Sequence, residues 1–444
     1  MNEPLLSRDD NTIAPAVGFI VLLVLSQLLY LSLSLPYFAP IQRFTAVSIL
    51  NSVLYTGMAF ILHRYRAIFS DSPVQLIIMA GIILRLSVLF IAPTASDDIF
   101  RYIWDGKVQA HGINPYLYAP ADETLRSLHS TMVPGLVNFP AMKTIYPPLA
   151  EWIFWISYSL FGESILGFKI PLLVAEIATL FLLRGILRRL GLPAVWIALY
   201  SLCPLPIMQF MIDGHLDALG LPFVLLFVLF WIQQKHVPAL YWLGLAAAIK
   251  LVPLIFIPFA FRELRGWKRL MAIGIPLGIL GLVYLPYIIG KGAPFEALGT
   301  FSSRWAFNGS VFHLIYPVIQ DNTPAHHIST VLFLMWAGFL YFRKHAFLDS
   351  LRLAMFGFFV FAPTVHPWYL TWLAVLLPFQ FRWSTIAFIA VVSLANIVVV
   401  DYRMAGVWQE SGIVLWSEYG ILAAVMIWEY HRLRKPRLRS EQIS

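Results

Sequence analysis

Residues 74–107 read VQLIIMAGIILRLSVLFIAPTASDDIFRYIWDGK. The first part, 74–91, is apolar except for Gln75, Arg85 and Ser87, and the second gathers Asp97, Asp98, Arg101, Asp105 and Lys107 within eleven residues. A bilayer crossing takes about 20 apolar residues, so the first part reads as a membrane span and the second as a helix emerging from its end. Ser96 is a good N-cap and would set Asp97 and Asp98 in the first turn, where the helix dipole favours carboxylates. Along that helix Asp98, Arg101, Asp105 and Gln109 share one face, and Ile99, Tyr102, Ile103 and Ala110 make the opposite one. The pattern predicts a juxtamembrane helix lying on the membrane surface.

The rest of the chain has the same solvent. Of 444 residues 59% are hydrophobic and 12% charged, against about 25% charged in a soluble protein. Further apolar runs at 14–35, 46–62, 167–183, 194–210, 218–232, 271–289, 328–341, 351–364, 368–379, 385–400 and 413–428 bring the expected spans to twelve. Two other stretches are read as re-entrant or interfacial: 149–161 is short, and 239–261 is broken by Lys250, Pro253 and Pro258. The expected fold class is an all-α polytopic membrane protein of about 12 transmembrane helices, these two segments and a long outer loop. The run 14–35 exceeds a signal-peptide core and lacks a basic leader, so it is read as the first span.

With the N-terminus cytoplasmic, 20 of the 31 Lys and Arg residues fall inside and 9 outside, with Arg85 and Lys250 at membrane depth. Making 149–161 a full span would reverse every later loop, against the positive-inside rule. Both termini are then cytoplasmic, in what is expected to be the plasma membrane. One integral membrane domain, 1–444, carries an outer loop at 93–147, a second at 290–327 and a basic tail at 431–444. The net charge of +8 is scattered rather than striped, which points to membrane lipid and away from nucleic acid. Cys203 is the only cysteine, which excludes an internal disulfide and a thiolate metal site.

The outer segments hold the chemistry. Asp97 and Asp98 either cap their helix or act on a substrate, and Arg101 and Asp105 either pair in solvent or line a site. Asp213-Gly214-His215-Leu216-Asp217 places two carboxylates four apart, suited to sugar hydroxyls or to a divalent cation. Lys143 and Tyr146 precede Pro147-Pro148, Arg304 and Asn308 sit in the second loop, and His366-Pro367-Trp368-Tyr369 opens a span where aromatic residues also form interface belts. A lysine within an apolar run is costly, which makes Lys250 a functional candidate or a snorkelling side chain.

In order, Asp98-x-x-Arg101-Tyr102, Gly112-x-Asn114-Pro115-Tyr116, Tyr146-Pro147-Pro148-Leu149, His215-x-Asp217-Ala218-Leu219 and His366-Pro367-Trp368-Tyr369 resemble motifs of the GT-C superfold. The likeness is to prokaryotic polyprenol-phosphate-mannose-dependent mannosyltransferases. Asp98 and the Tyr-Pro-Pro element also resemble aminoarabinose transferases and protein O-mannosyltransferases. The resemblance spans roughly 92–377, and the chain differs from the simplest pattern by two additional spans before the loop. It implies an inverting transfer of a sugar, mannose first, from a polyprenyl-phosphate donor to a hydroxyl of a glycan, glycolipid or protein acceptor. Asp98 would be the catalytic base, with Asp97 the adjacent alternative. By their chemistry Arg304, Lys143 and Lys250 are candidates for the donor phosphate. Arg101, Asp105, Tyr146, Asp213, His215, Asp217, Asn308, His366, Trp368 and Tyr369 are candidates for sugar or acceptor. A cofactor is either not required or a divalent cation, Mg or Mn. The rival class is a transporter or flippase of a lipid-linked sugar, which would place its charges near the midplane rather than in outer loops.

Overall fold

Pro40 and Pro148 begin two helices at the position where a missing N–H costs nothing, and Ser164 and Asp321 begin two others by accepting the N–H of Gly167 and Thr323. The computed structural model describes residues 10–69 and 74–434; the expected basic tail lies, from 435 on, outside the described residues. In chain order the helices are α1 (Asp10–Ser32), α2 (Pro40–Arg64), α3 (Val74–Val88), α4 (Asp98–Ala110), α5 (Pro148–Phe161), α6 (Ile165–Arg189), α7 (Ala194–Ser201), α8 (Pro204–Ile212), α9 (Asp217–Ile232), α10 (His236–Ile249), α11 (Ile257–Glu263), α12 (Lys268–Ile289), α13 (Glu296–Arg304), α14 (Ser310–Ile319), α15 (Asn322–Arg343), α16 (Phe347–Phe361), α17 (Pro367–Phe379), α18 (Trp383–Ala405) and α19 (Gly412–Arg434). Several, α17 and α18 among them, contain 3₁₀ turns. Among the described residues no sheet forms, and one isolated bridge joins Phe307 to Thr364.

Among the described residues seven helices are long and apolar enough to cross a membrane: α1, α2, α6, α12, α15, α18 and α19. The pair α7 and α8, bent by 45°, makes an eighth if it is one span. The remaining four expected spans are the shorter helices α3, α9, α16 and α17. Run length in the sequence counts apolar residues, whereas a span of helix needs unbroken backbone hydrogen bonds. Pro378 interrupts the latter within α17.

One charged pair buried in this apolar body is closed by hydrogen bonds. Arg85 of α3 donates through Nε and Nη2 to Glu176 of α6 at 2.9 and 2.8 Å, and through Nη1 to the carbonyls of Gly81 and Ser201. Both side chains are fully buried, so the pair binds α3 to α6 and meets the desolvation cost with several hydrogen bonds. The stretch 239–261 breaks at Lys250, whose backbone is extended. α10 runs back along α9, so Lys250 at its end meets Asp217 at the start of α9.

The helix α4 differs from expectation in two ways. It starts at Asp98, with Asp97 as the capping residue, although the Ser96 hydroxyl still accepts the Asp98 N–H at 3.3 Å. It also does not lie on a surface: every residue from Ile99 to Val108 is buried, because its polar face turns inward against α5 rather than out to water. Gly106 permits this packing. A Cβ added there would stand 2.4 Å from the Phe154 carbonyl oxygen, so only glycine lets the two backbones approach. Gly106→Ala is expected to destabilise the protein by about 1–3 kcal/mol, read as a lowered thermal midpoint in detergent; an unchanged midpoint would show that α4 and α5 have room to part.

Candidate active site

A short turn sets the position of the acidic pair. Asp213, fully buried after α8, accepts the N–H groups of Thr94 and Ala95 on Oδ1 at 2.7 and 2.9 Å. Gly214 follows with φ +77°, and a Cβ there would meet Ile99 Cδ1 at 2.5 Å. The turn therefore sits directly beneath the first turn of α4 and holds the 94–97 segment in place.

Asp97 and Asp98 diverge from there. Asp97 pairs with Arg403 of α18 at 2.7 Å. Asp98 accepts from the Asn138 amide on Oδ1 at 2.8 Å, and its Oδ2 lies 3.5 Å from Nδ1 of His215. Burial works to raise the Asp98 carboxyl, yet His215 and Asn138 hold it below its ordinary value. It is thus a carboxylate at neutral pH, with 21% of its side chain exposed.

Both face a cavity of about 1000 Å³. Its charged rim carries Asp97, Asp98 and Asp217 with five cations, Arg101, Lys143, Lys250, Arg304 and Arg403, an excess of positive charge suited to an anionic group. Lys250 donates to Asp217 Oδ1 at 2.7 Å and lies 4.0 Å over the Tyr369 ring, and the Trp372 indole donates to the same Asp217 oxygen at 2.5 Å. Lys143 reaches Glu296 at 2.8 Å. Among the described residues Arg304 has no ion-pair partner, and it is exposed at the end of α13. His366 stacks between Phe307 and Trp368 at 4.6 and 4.2 Å, and burial pushes its imidazole down to about 3, so it is neutral. Away from the charges the wall is apolar, with Leu298, Phe301, Phe333, Phe358 and Phe361.

Of the residues singled out in the sequence, Asp97, Asp98, Arg101, Lys143, Tyr146, Asp217, Lys250, Arg304, His366, Trp368 and Tyr369 border this cavity. Asp105, Asp213, His215 and Asn308 do not. Asp213 bonds the loop as described. Asn308, at φ +51°, gives its N–H to Glu410 at 2.6 Å and its amide to Glu418 at 3.0 Å, fastening the second loop to α19. Asn138 and Arg403 have no signal in the sequence, because each is brought to its aspartate only by folding. Among the described residues no group of three or more His, Cys, Asp or Glu side chains is gathered to hold a metal ion, so a Mg or Mn site has no ready ligand set.

Behind the cavity, Arg101 Nε contacts both oxygens of Asp105 at 3.0 Å. Glu151, at the start of α5 and fully buried, accepts from Thr144 at 2.7 Å and from Gln109 at 2.8 Å. Burial, reinforced by neighbouring Asp105, pushes the Glu151 carboxyl well above the usual range. Arg101, Asp105 and a protonated Glu151 together are neutral, which is how such a cluster persists away from water.

A family model described as alpha-(1->6)-mannopyranosyltransferase, N-terminal domain, matches residues 20–264, more than half of the chain. No curated protein matches it.

The protonated Glu151 generates a prediction. Since folding raises this carboxyl, its stabilising contribution is complete in acid and is lost as the pH rises through the folded value. Glu151→Gln, a neutral mimic, should leave the midpoint near pH 4, at or below the unfolded carboxyl's value of about 4.3, within about 2 °C, and flatten the decline that the parent shows as the pH rises from there. A Glu151→Gln protein that declines as steeply as the parent would mean that Glu151 is already ionised.

Proposed function

The chain belongs to the MptA_B family, the alpha-(1->6)-mannopyranosyltransferases, and is a membrane-embedded, mannose-transferring glycosyltransferase of the GT-C type; on that premise we propose that it takes mannose from a polyprenyl-phosphate donor and passes it, with inversion, to a hydroxyl of a glycan or glycolipid acceptor. The observation that carries this reading is one cavity combining an ionised aspartate, clustered cations and an apolar wall.

In the proposed step the acceptor oxygen attacks C1 of the mannose as the bond from C1 to the phosphate oxygen breaks. The acceptor proton passes to Asp98, and polyprenyl phosphate leaves. The transition state is oxocarbenium-like, so the reaction gains from one carboxylate on the acceptor side and fixed positive charge where the phosphate develops. Asp98 suits the base because its carboxylate faces the cavity, while Asp97 is engaged by Arg403. Arg304, Lys143 and Lys250 are the phosphate cations in this reading, with Arg403 added to them. Neutral His366, Trp368, Tyr369, Tyr146 and Asp217 stand where sugar hydroxyls would lie. The apolar side, between α13, α15 and α16, suits the polyprenyl chain.

The distribution of basic residues supports termini on the cytoplasmic side, and the loops 93–147 and 290–327, which build most of the charged rim, then lie outside. Donor and acceptor would meet at the outer face of the plasma membrane.

With purified protein, labelled polyprenyl-phosphate mannose and a panel of hydroxyl acceptors, Asp98→Asn should cut turnover by about 10²- to 10⁴-fold while donor binding persists. Unchanged turnover would remove Asp98 from the role. Arg304→Ala should weaken donor affinity by about 10- to 100-fold, as expected for a lost charge-assisted bond to phosphate; full affinity would make Arg304 structural.

A further inference from the structure

The reaction proposed above leaves a proton on Asp98, and one group stands ready to receive it. His215 is fully buried and lies behind Asp98, off the cavity wall. Its Nδ1 is 3.5 Å from Asp98 Oδ2, and neither ring nitrogen has a hydrogen-bond partner among the described residues. A buried imidazole with both nitrogens unpaired is costly, unless a transient bond is its purpose. Trp368 stacks on the ring at 3.7 Å with an interplanar angle of 13°, and the tight turn at Gly214 presses its backbone under Ile99. Both features fix the ring against the base. Asp98 accordingly has a substrate side, open to the cavity, and a dry side that belongs to His215.

We propose that His215 is the positioning residue of the reaction, orienting Asp98 and accepting through Nδ1 the proton that Asp98 takes from the acceptor. This rests on the reading of Asp98 as the base. A closing of about half an ångström brings the two atoms to hydrogen-bond distance. The proton moves from the acceptor hydroxyl to Asp98 as the bond from C1 to phosphate breaks, then from Asp98 Oδ2 to Nδ1. The carboxylate is thereby restored beside an imidazolium. The proton then returns by Asp98 to the departing phosphate or to water in the cavity, and Nδ1 is free to accept again. The direction is sound, since imidazole is intrinsically a stronger base than a carboxylate. The titratable groups that act on His215 are Asp98 on α4, Asp213 in its own turn, and His366 before α17.

The test compares His215→Gln, Asp98→Asn and the double variant of the full-length protein, assayed with labelled polyprenyl-phosphate mannose and a hydroxyl acceptor. His215→Gln should lower kcat by about 10- to 100-fold, with KM for both substrates within a factor of about 3. An imidazolium beside Asp98 disables the base, so the acid limb of kcat in the parent follows the dyad; in the glutamine variant it should move to lower pH by a full unit or more. In the Asp98→Asn background the same change should cost nothing further, because both act on one proton. Wild-type kcat in His215→Gln, an unmoved acid limb, or losses that multiply in the double variant would each overturn the assignment. In the unsubstituted protein the ¹⁵N ring shifts of His215 should titrate with the acid limb, and a ring that does not titrate there also overturns it. Full turnover in Asp98→Asn would instead overturn the base assignment on which this rests, whereas an inactive Asp98→Asn with a fully active His215→Gln sinks only the role of His215.

Discussion

The two bonds from the backbone of Thr94 and Ala95 to the carboxylate of Asp213 decide where everything else in the cavity can stand. They fasten the end of α3 to the turn between α8 and α9. Asp98 begins α4 three residues beyond Ala95, Asp217 begins α9 four residues beyond Asp213, and Lys250 is drawn to Asp217 from the end of α10. One buried carboxylate therefore registers three helix ends against one another. Its strength comes from the setting: away from water, a carboxyl oxygen that accepts two N–H groups holds its geometry far better than it would at a surface.

Placing polar machinery inside an apolar body demands compensation, and the protein supplies it in layers. Deep in the bundle the pair of Arg85 and Glu176 is closed on itself. Nearer the cavity, Arg101, Asp105 and Glu151 reach neutrality by keeping a proton. Only at the rim do charges keep a face toward open space, as Lys250, Lys143 and Arg403 do while bound to Asp217, Glu296 and Asp97. Each of these cations is held by a carboxylate until something anionic competes for it. That gives the site order before it is loaded, and geometry that is already assembled reduces what binding must organise.

Much of this was legible in the sequence, and the limits have physical causes. The break at Lys250, the start of α5 at the Tyr-Pro-Pro motif and the acidic start of α4 follow from local rules about charge, proline and capping. The burial of α4 does not, because the same alternation of polar and apolar faces fits a helix at a lipid surface or one wedged against a polar partner. Glu151, which provides that partner, sits in the first turn of its helix, where an acid is ordinary and nothing local marks it as buried. Asn138 and Arg403 are 40 and 306 residues from the aspartates they hold, a distance that no spacing rule crosses. Among the described residues seven helices, and one bent pair, have the length of a span where the apolar runs number twelve: hydropathy registers an apolar neighbourhood, and α17, interrupted at Pro378, is apolar without being one continuous helix.

Phe307, His366, Trp368 and His215 lie ring on ring, and Phe307 is also bridged to Thr364. Phe307, His366 and Trp368 lie beyond the region matched by the family model, which ends at 264, and His215 lies within it. The column thus joins the two halves of the chain, one ring coming from the turn between α8 and α9 and three from segments beyond α13. A ring lost anywhere along it would loosen the second outer loop and the turn behind Asp98 together, although the two are far apart in the chain.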